Sequence, residues 1–265
     1  MIYALSRYHA EQNKKVLIVV PTTSLVEQMY KDFYEYGWDV KTNCHRIYAG
    51  KDLFSKAPVI ISTWQSLYKQ DKKWFRNFSC VIGDEAHQFK SKSLMSIMTK
   101  LDGAKYRYGF TGTLDGSQTH KWVLEGLFGS SYKIVNTKNL QEAGYLAKLN
   151  IKVLILKHDP QEFEVYEDEI KYLISHERRN KFIKNLVHDL KGNTLVLYSR
   201  VATHGQVLFD LLNTNSKRVF FVHGGVDTEE RETVREIVES ENNAIIVASF
   251  GTFSTGINIK NLHNF

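Results

Sequence analysis

The chain has 265 residues, 43% of them hydrophobic and 24% charged, which is ordinary for a globular protein of one large or two medium domains. Two cysteines indicate neither a disulfide framework nor a zinc site, so the expected compartment is the reducing cytoplasm. The longest apolar runs are far shorter than the roughly 20 residues of a membrane span. A net charge of +6 is compatible with a polyanionic partner but does not require one.

Short apolar runs alternate with segments of helical spacing along the chain. Leu25, Met29 and Phe33 recur at the i, i+4 spacing of a helix, as do Val207 and Leu211. Strands that alternate with helices and lack polar alternation predict parallel βαβ units in doubly wound α/β sheets. After an amphipathic helix at 2–12, the predicted strands are Val16–Val20, Val59–Ile61, Cys80–Gly83, Tyr106–Phe110, Ile151–Leu156, Thr194–Tyr198, Val219–Val222 and Ala244–Ala248.

A polar stretch at 137–149 separates two series of strands. It predicts two domains, residues 1–145 and 146–265, each with its own sheet. The run KHDPQEFEVYEDEI at 157–170 is polar enough for a surface connection or an exposed helix. Because a doubly wound sheet normally has an element on each side of its strands, both domains are expected to be truncated at the chain ends.

A buried strand runs directly into two carboxylates in CVIGDEAHQF, residues 80–89. Ligands of open parallel sheets bind beyond the carboxyl ends of the strands, which is where Asp84 and Glu85 fall. Consecutive residues point in different directions. One carboxylate could therefore face a hydrated Mg²⁺ while the other orients or deprotonates an attacking water. The alternative is that Asp84 only caps the helix that follows.

Hydroxyl-rich turns follow two other predicted strands. Thr22, Thr23 and Ser24 lie at the start of one helix, and Ser62 and Thr63 precede another. A helix start of this kind accepts phosphate oxygens. Two of them on one sheet could follow a nucleic-acid backbone without reading bases. The alternative for the first turn is a simple N-cap at Thr23 or Ser24.

Further polar loops follow the remaining strands. GFTGTL at 109–114 carries Thr111 and Thr113, and such a loop could hydrogen-bond to the carboxylate loop; the alternative is an ordinary glycine turn. In the second half, IIVASFGTFSTGINIKNL at 245–262 ends in a polar loop suited to phosphates or a nucleotide. The mixed run YKQDKKWFRNF at 68–78 could stack on bases, but packing of its aromatic residues under the next strand is favoured.

Six phrases in order, PTTSLVEQ, STWQS, DEAH, TGT, VLYSR and STGIN, resemble the motif series of superfamily-2 (DEAH-box) helicases. Within that group the chain resembles the UvsW helicases of T-even bacteriophages, over essentially its whole length. The resemblance implies two RecA-like P-loop NTPase domains with mostly parallel sheets, using ATP and Mg²⁺. It also implies a monomer that unwinds or branch-migrates single-stranded or branched DNA in replication, recombination and repair, without a membrane partner, in the host cytoplasm if phage-encoded.

The resemblance also assigns roles to individual residues. Asp84 would hold Mg²⁺ and Glu85 would act on the attacking water, with His87 linking the nucleotide site to the second domain. Thr111 and Thr113 would couple hydrolysis to motion. The residues along the nucleic acid would be Thr22, Thr23, Thr63, Gln65, Ser199, Arg200 and Thr255, and those facing the nucleotide Gly256 and Asn258. Many relatives have Asp at the position of Asn258.

Two expected motifs do not occur in these 265 residues. No G-x-x-x-x-G-K-[ST] phosphate loop is present, since AGKD at 49–52 has neither the hydroxyl residue nor a following helix, and the family's closing arginine motif is absent. Phosphoryl transfer depends on such positioning and charge. We therefore expect this chain alone to hydrolyse ATP poorly. Turnover on the order of 1–100 per second with DNA and Mg²⁺ would contradict this.

Alternative functions stay open on the sequence alone. The motor could belong to a restriction-enzyme-type translocase or an RNA helicase. Comparing how branched DNA, single-stranded DNA and RNA stimulate ATP hydrolysis would distinguish these functions. The chain could also be a non-catalytic nucleic-acid-binding remnant of a helicase. The coding sequence upstream of Met1 would separate that reading from an enzyme.

Overall fold

The structure is a computed structural model that describes residues 1–48, 50, 52–112, 118–159, 161–214, 216–253 and 259–265, with only the backbone of Thr228. The chain divides into two compact units, Met1–Lys148 and Leu149–Phe265. Each contains its own parallel sheet with helices on both faces. This confirms the predicted α/β class with doubly wound sheets.

The first unit is built on five parallel strands in the order β2-β3-β1-β4-β5. Their bounds are β1 Val16–Val20, β2 Cys44–Ile47, β3 Val59–Thr63, β4 Cys80–Gly83 and β5 Tyr106–Gly109. In β1 every residue is buried: Leu17 and Val19 join the apolar cluster on one face, and Val16, Ile18 and Val20 join that on the other. Burial on both faces explains why the strand has no polar alternation.

Helices cover both faces of this sheet. They are α1 Ile2–Glu11, α2 Thr23–Glu35, α3 Val40–Asn43, α4 Trp64–Leu67, α5 Lys72–Phe75, a 3₁₀ helix Ala86–Lys90, α6 Lys92–Lys100, α7 Gln118–Phe128 and α8 Thr137–Glu142. Leu25, Met29 and Phe33 are buried on α2, as their spacing predicted. Trp74 and Phe78 lie in the core near α5, which confirms packing rather than base stacking for that run.

The second unit contains three parallel strands in the order β6-β8-β7. These are β6 Thr194–Tyr198, β7 Val219–Val222 and β8 Ile245–Ser249. The helices are α9 Tyr166–Ser175, α10 Glu177–Asp189, a π-helical turn Val201–Gly205, α11 Gln206–Leu212, α12 Thr228–Ser240 and α13 Phe250–Phe253. On α11 the buried residues are Leu208 and Leu212, one position beyond the predicted Val207 and Leu211.

Two strand predictions differ from the structure. Residues 150–159 have no regular secondary structure, so the predicted strand Ile151–Leu156 is wrong. A strand needs a neighbour for its backbone N–H and C=O groups, and this segment pairs with no strand in the described ranges, while Ile151, Val153 and Ile155 are 79–82% exposed. Conversely β2 was not predicted, because His45 and Arg46 interrupt its apolar pattern.

A buried asparagine ties together three parts of the second unit. The Asn193 side-chain nitrogen lies 2.7–2.8 Å from the carbonyl oxygens of Val238, Glu241 and Asn261. Its side-chain oxygen accepts from the backbone N–H of Ala244 at 2.9 Å. The end of α12, the residue before β8 and the segment that follows 259 are thereby held to the start of β6. Asn193 is fully buried.

Candidate functional site

The register of the first sheet gathers four strand ends at one edge. Val20 is level with Thr63, Val19 with Gly83, and Gly83 with Gly109. Because all the strands are parallel, the residues that follow them leave from the same edge, which is where open α/β sheets bind ligands. The predicted site residues of the first unit that the structure describes all lie at or beyond these strand ends.

The two carboxylates follow β4 and are half-buried. The backbone N–H of Asp84 donates to the carbonyl of Val19 at 3.0 Å, and that of Ala86 donates to the carbonyl of Phe110 at 2.7 Å. Between them Glu85 has φ 49° and ψ 50°, a left-handed conformation that costs a non-glycine residue roughly 1–2 kcal/mol. The neighbouring strands thus hold a strained turn at the two carboxylates.

Asp84 does not cap the helix that follows. Its Oδ1 accepts from the adjacent backbone N–H of Glu85 at 3.0 Å, and it is Glu85 that precedes the 3₁₀ helix, without a side-chain cap. Burial raises the pKa of the Asp84 carboxyl; the hydrogen bond from Glu85 N opposes this and the Glu85 carboxylate adds to it. The capping alternative is therefore not what the geometry favours.

The environment of Asp84 fits a hydrated divalent cation. In the part of the chain that the structure describes, no group of three or more His, Cys, Asp or Glu side chains could enclose a metal ion. Mg²⁺ needs no such group, because it takes one or two protein carboxylates and keeps several waters beside substrate phosphates. A half-buried carboxyl whose charged form is disfavoured by burial would gain from such a cation.

His87 connects the carboxylate loop to the loop after β5. Its Nδ1 lies 2.9 Å from Oγ1 of Thr111 and 3.3 Å from Oε2 of Glu85. The sequence left open a hydrogen bond between the two loops or an ordinary glycine turn, and the structure shows the hydrogen bond. Nδ1 of His87 therefore lies within reach of both a hydroxyl and a carboxylate, so the imidazole places Thr111 and Glu85 next to each other.

Two glycines allow aromatic rings to pack closely against the strand ends beside the carboxylate loop. A Cβ at Gly83 would lie 2.7 Å from Cζ of Phe89, and one at Gly109 would lie 2.9 Å from Cδ2 of Phe128. The two rings pack edge to face, with centroids 5.1 Å apart. These four residues were not among the predicted site residues. Glycine as the last residue of two adjacent strands was the available signal.

The hydroxyl-rich turns have partly structural roles. Thr22 caps α2 by accepting from the N–H of Leu25 at 3.3 Å, so the cap lies one residue before Thr23 and two before Ser24, the two candidates from the sequence. Thr63 is buried, and its hydroxyl lies 3.1 Å from that of Ser66. Exposed Gln65 donates to the carbonyl of Pro21 at 3.3 Å and so joins the two turns.

In the second unit the predicted residues Ser199 and Arg200 follow β6. Ser199 is exposed. Arg200 forms a bidentate ion pair with Glu167 of α9, with N–O distances of 2.6 and 2.7 Å. Glu167 was not predicted; the acidic run before and within α9 was its only trace in the sequence. The predicted residues Thr113, Thr255, Gly256 and Asn258 lie outside the described residues.

Comparison with known proteins supports the fold. Residues 1–116 match the family described as type III restriction enzyme, res subunit. Two solved structures share the fold: Dbp5 of S. cerevisiae bound to RNA and ADP BeF3 (TM-score 0.61, 15% identity, 94% of this chain and 61% of that one) and the helicase Lhr of Mycobacterium smegmatis bound to ssDNA and AMP-PNP (0.61, 16%, 94% and 35%). The chain therefore has the fold of these two proteins.

The chain is also a homologue of a phage DNA helicase. It is 36% identical to the ATP-dependent DNA helicase UvsW of Enterobacteria phage T4, over 98% of this chain. This confirms the resemblance read from the motifs. The chain spans 54% of that protein's length. No helix among the described residues has the length and apolar character needed to cross a bilayer.

Proposed function

We propose that this chain carries the nucleotide-hydrolysing and DNA-gripping residues of an ATP-dependent DNA helicase that unwinds or branch-migrates DNA in replication, recombination and repair. One observation carries the proposal: the Asp84–Glu85 pair sits at the edge where four parallel strands end, in a chain 36% identical over 98% of its length to a DNA helicase. We propose that it acts as a monomer in the host cytoplasm.

Each polar group at the first sheet edge has a distinct chemical task in this proposal. The half-buried Asp84 carboxylate holds Mg²⁺, which when bound neutralises phosphate charge. Glu85 orients the attacking water and accepts its proton. His87 and Thr111, 2.9 Å apart, pass changes at the neighbouring loop to Glu85, with Thr113 in the same coupling role.

The nucleic acid is held through its backbone. Thr22, Thr63 and Gln65 make internal hydrogen bonds that hold the two turns at one edge of the first sheet. Together with Thr23, these turns bring polar groups to that edge, which suit phosphates better than bases. In the second unit Ser199, Arg200 and Thr255 do the same, and Gly256 and Asn258 face the nucleotide. Binding is therefore expected to weaken as salt rises, whatever the base sequence.

A chimera tests the proposal directly. The matching region of T4 UvsW is replaced by this chain, and DNA-stimulated ATP hydrolysis is measured with branched DNA, single-stranded DNA and RNA. Glu85→Gln keeps the shape but removes the base, and should lower turnover about 100-fold or more. Glu142→Gln, at an exposed helix position, is the matched control and should have no effect. A chimera that hydrolyses ATP equally well with Glu85→Gln would refute the assignment.

A second candidate is a translocase that moves along duplex DNA without separating its strands. It is favoured by the match of residues 1–116 to a restriction-enzyme subunit family. The same chimera distinguishes the two. Strand separation or branch migration of a labelled junction supports the helicase, whereas displacement of a triplex-forming strand from an intact duplex without unwinding supports the translocase.

A further inference from the structure

The ion pair between Arg200 and Glu167 links two segments of the second unit that are 33 residues apart in sequence. Nη1 of Arg200 donates to Oε1 of Glu167 at 2.6 Å, and Nη2 donates to Oε2 at 2.7 Å. A guanidinium binds phosphate with the same parallel pair of hydrogen bonds. The contact holds down the pKa of Glu167 and raises that of Arg200, so both side chains are charged.

We propose that Glu167 occupies the phosphate-binding position of Arg200 and so masks this arginine until nucleic acid displaces it. The inference rests on the proposed function, in which Arg200 contacts the nucleic-acid backbone. Glu167 then acts as a built-in competitor: the apparent affinity for DNA is reduced by the fraction of molecules in which Arg200 is already paired.

The arginine side chain can change partners without unfolding its surroundings. The carbonyl of Arg200 accepts from the backbone N–H groups of His204 and Gly205, at 3.2 and 2.8 Å, which fixes the main chain at the start of the π-helical turn. The paired side chains remain 38% and 46% exposed. An ion pair this exposed to water is weak. A phosphodiester carries the same single negative charge as the carboxylate and offers two oxygens to the guanidinium, so it can replace Glu167, helped by the charge of the neighbouring phosphates.

The rest of the acidic turn provides an internal control. Asp168 follows Glu167 in the first turn of α9, but its carboxylate pairs with Lys171 at 2.9 Å rather than with Arg200. Neutralising either acid changes the net charge by one and removes one favourable charge from the same helix terminus. Only Glu167→Gln releases Arg200. The difference in Kd between the two variants therefore measures the effect of releasing Arg200, without the general effect of removing one negative charge.

The experiment measures the Kd of the 265-residue chain for a fluorescently labelled single-stranded oligonucleotide by anisotropy, at two salt concentrations. Glu167→Gln should bind about three- to five-fold more tightly than Asp168→Asn, in line with an exposed ion pair. Glu167→Asp keeps the net charge but shortens the reach, and should bind more tightly than wild type. In the Arg200→Gln background, Glu167→Gln should tighten binding only as much as Asp168→Asn tightens it in wild type, because only the general charge effect remains.

The possible failures are distinguishable. Equal Kd values for Glu167→Gln and Asp168→Asn, with a lower melting temperature for Glu167→Gln, would show that the pair only ties α9 to the sheet, and would overturn the mask. An unchanged Kd in Arg200→Gln would also overturn it, by removing Arg200 from the interface while leaving the helicase proposal standing. If wild-type chain shows no salt-dependent DNA binding, the proposed function fails as well.

Discussion

Adding one methyl group at Gly83 should destabilise the packing of Phe89 and Phe128 beside the carboxylate loop. Gly83 is the last residue of β4, directly before Asp84. An added Cβ would lie 2.7 and 2.9 Å from two carbons of the Phe89 ring and 3.0 Å from Phe128. Carbon atoms pack best at roughly 3.5–4.0 Å, so both rings would have to move by several tenths of an ångström or more.

The magnitude follows from two opposing effects of Gly83→Ala. Overpacking a well-filled core costs about 1–3 kcal/mol, and Phe89 is almost completely buried, so it has little room to yield. Alanine also reduces the backbone freedom of the unfolded chain, which stabilises the folded state by about 0.5–1 kcal/mol. We therefore expect a net destabilisation of about 1–2 kcal/mol in the free energy of unfolding of the first unit.

Tryptophan fluorescence reports this unit alone. All four tryptophans, Trp38, Trp64, Trp74 and Trp122, lie in residues 1–148. The matched control is Gly126→Ala on exposed α7. There no heavy atom of the described residues lies within 4 Å of the added Cβ, apart from chain neighbours and the helix's own backbone. The control should stabilise the unit by about 0.5–1 kcal/mol, since alanine is the better helix former.

The reasoning fails if Gly83→Ala unfolds at the same urea concentration as wild type, or later. It is also tested by rescue. Phe89→Leu should cost stability alone, but should cost less in the Gly83→Ala background, because the smaller side chain relieves the clash. Strict additivity of the two changes would show that Gly83 and Phe89 do not contact each other as described.

Two predictions concern the stability of the second unit. Asn193→Ala leaves the buried N–H of Ala244 without its partner and should cost about 3 kcal/mol; faster hydrogen exchange in residues 177–253 would show it, with the first unit unchanged. Burial, with Arg179 at 3.3 Å, lowers the pKa of His204 to about 4. The unfolded chain therefore binds more protons below about pH 6.5, and stability should fall by about 3 kcal/mol on acidification to pH 4. Urea midpoints followed by circular dichroism should show this fall in wild type and a flatter profile in His204→Gln.

Strand positions were readable wherever both faces of a strand are buried. Val16–Val20 and Cys80–Gly83 are continuous apolar runs because helices cover the sheet on each side. Predicting a strand from an apolar run failed at 151–156, where the run is exposed. It also missed β2, an edge strand whose apolar pattern His45 and Arg46 interrupt. An apolar run indicates that a segment favours burial. Whether it forms a strand depends on a neighbouring strand with which its backbone can pair, and the local sequence does not specify that neighbour.

The candidate site divides in the same way. The sequence by itself determined the class of protein, since six motifs in fixed order leave few alternatives, and it placed Asp84 and Glu85 at the end of a strand. Only the tertiary structure decided which side chains meet. His87 reaches Thr111 across 24 residues and Arg200 reaches Glu167 across 33. Such contacts depend on strand order, register and helix placement, which arise from packing the whole unit rather than from any single segment.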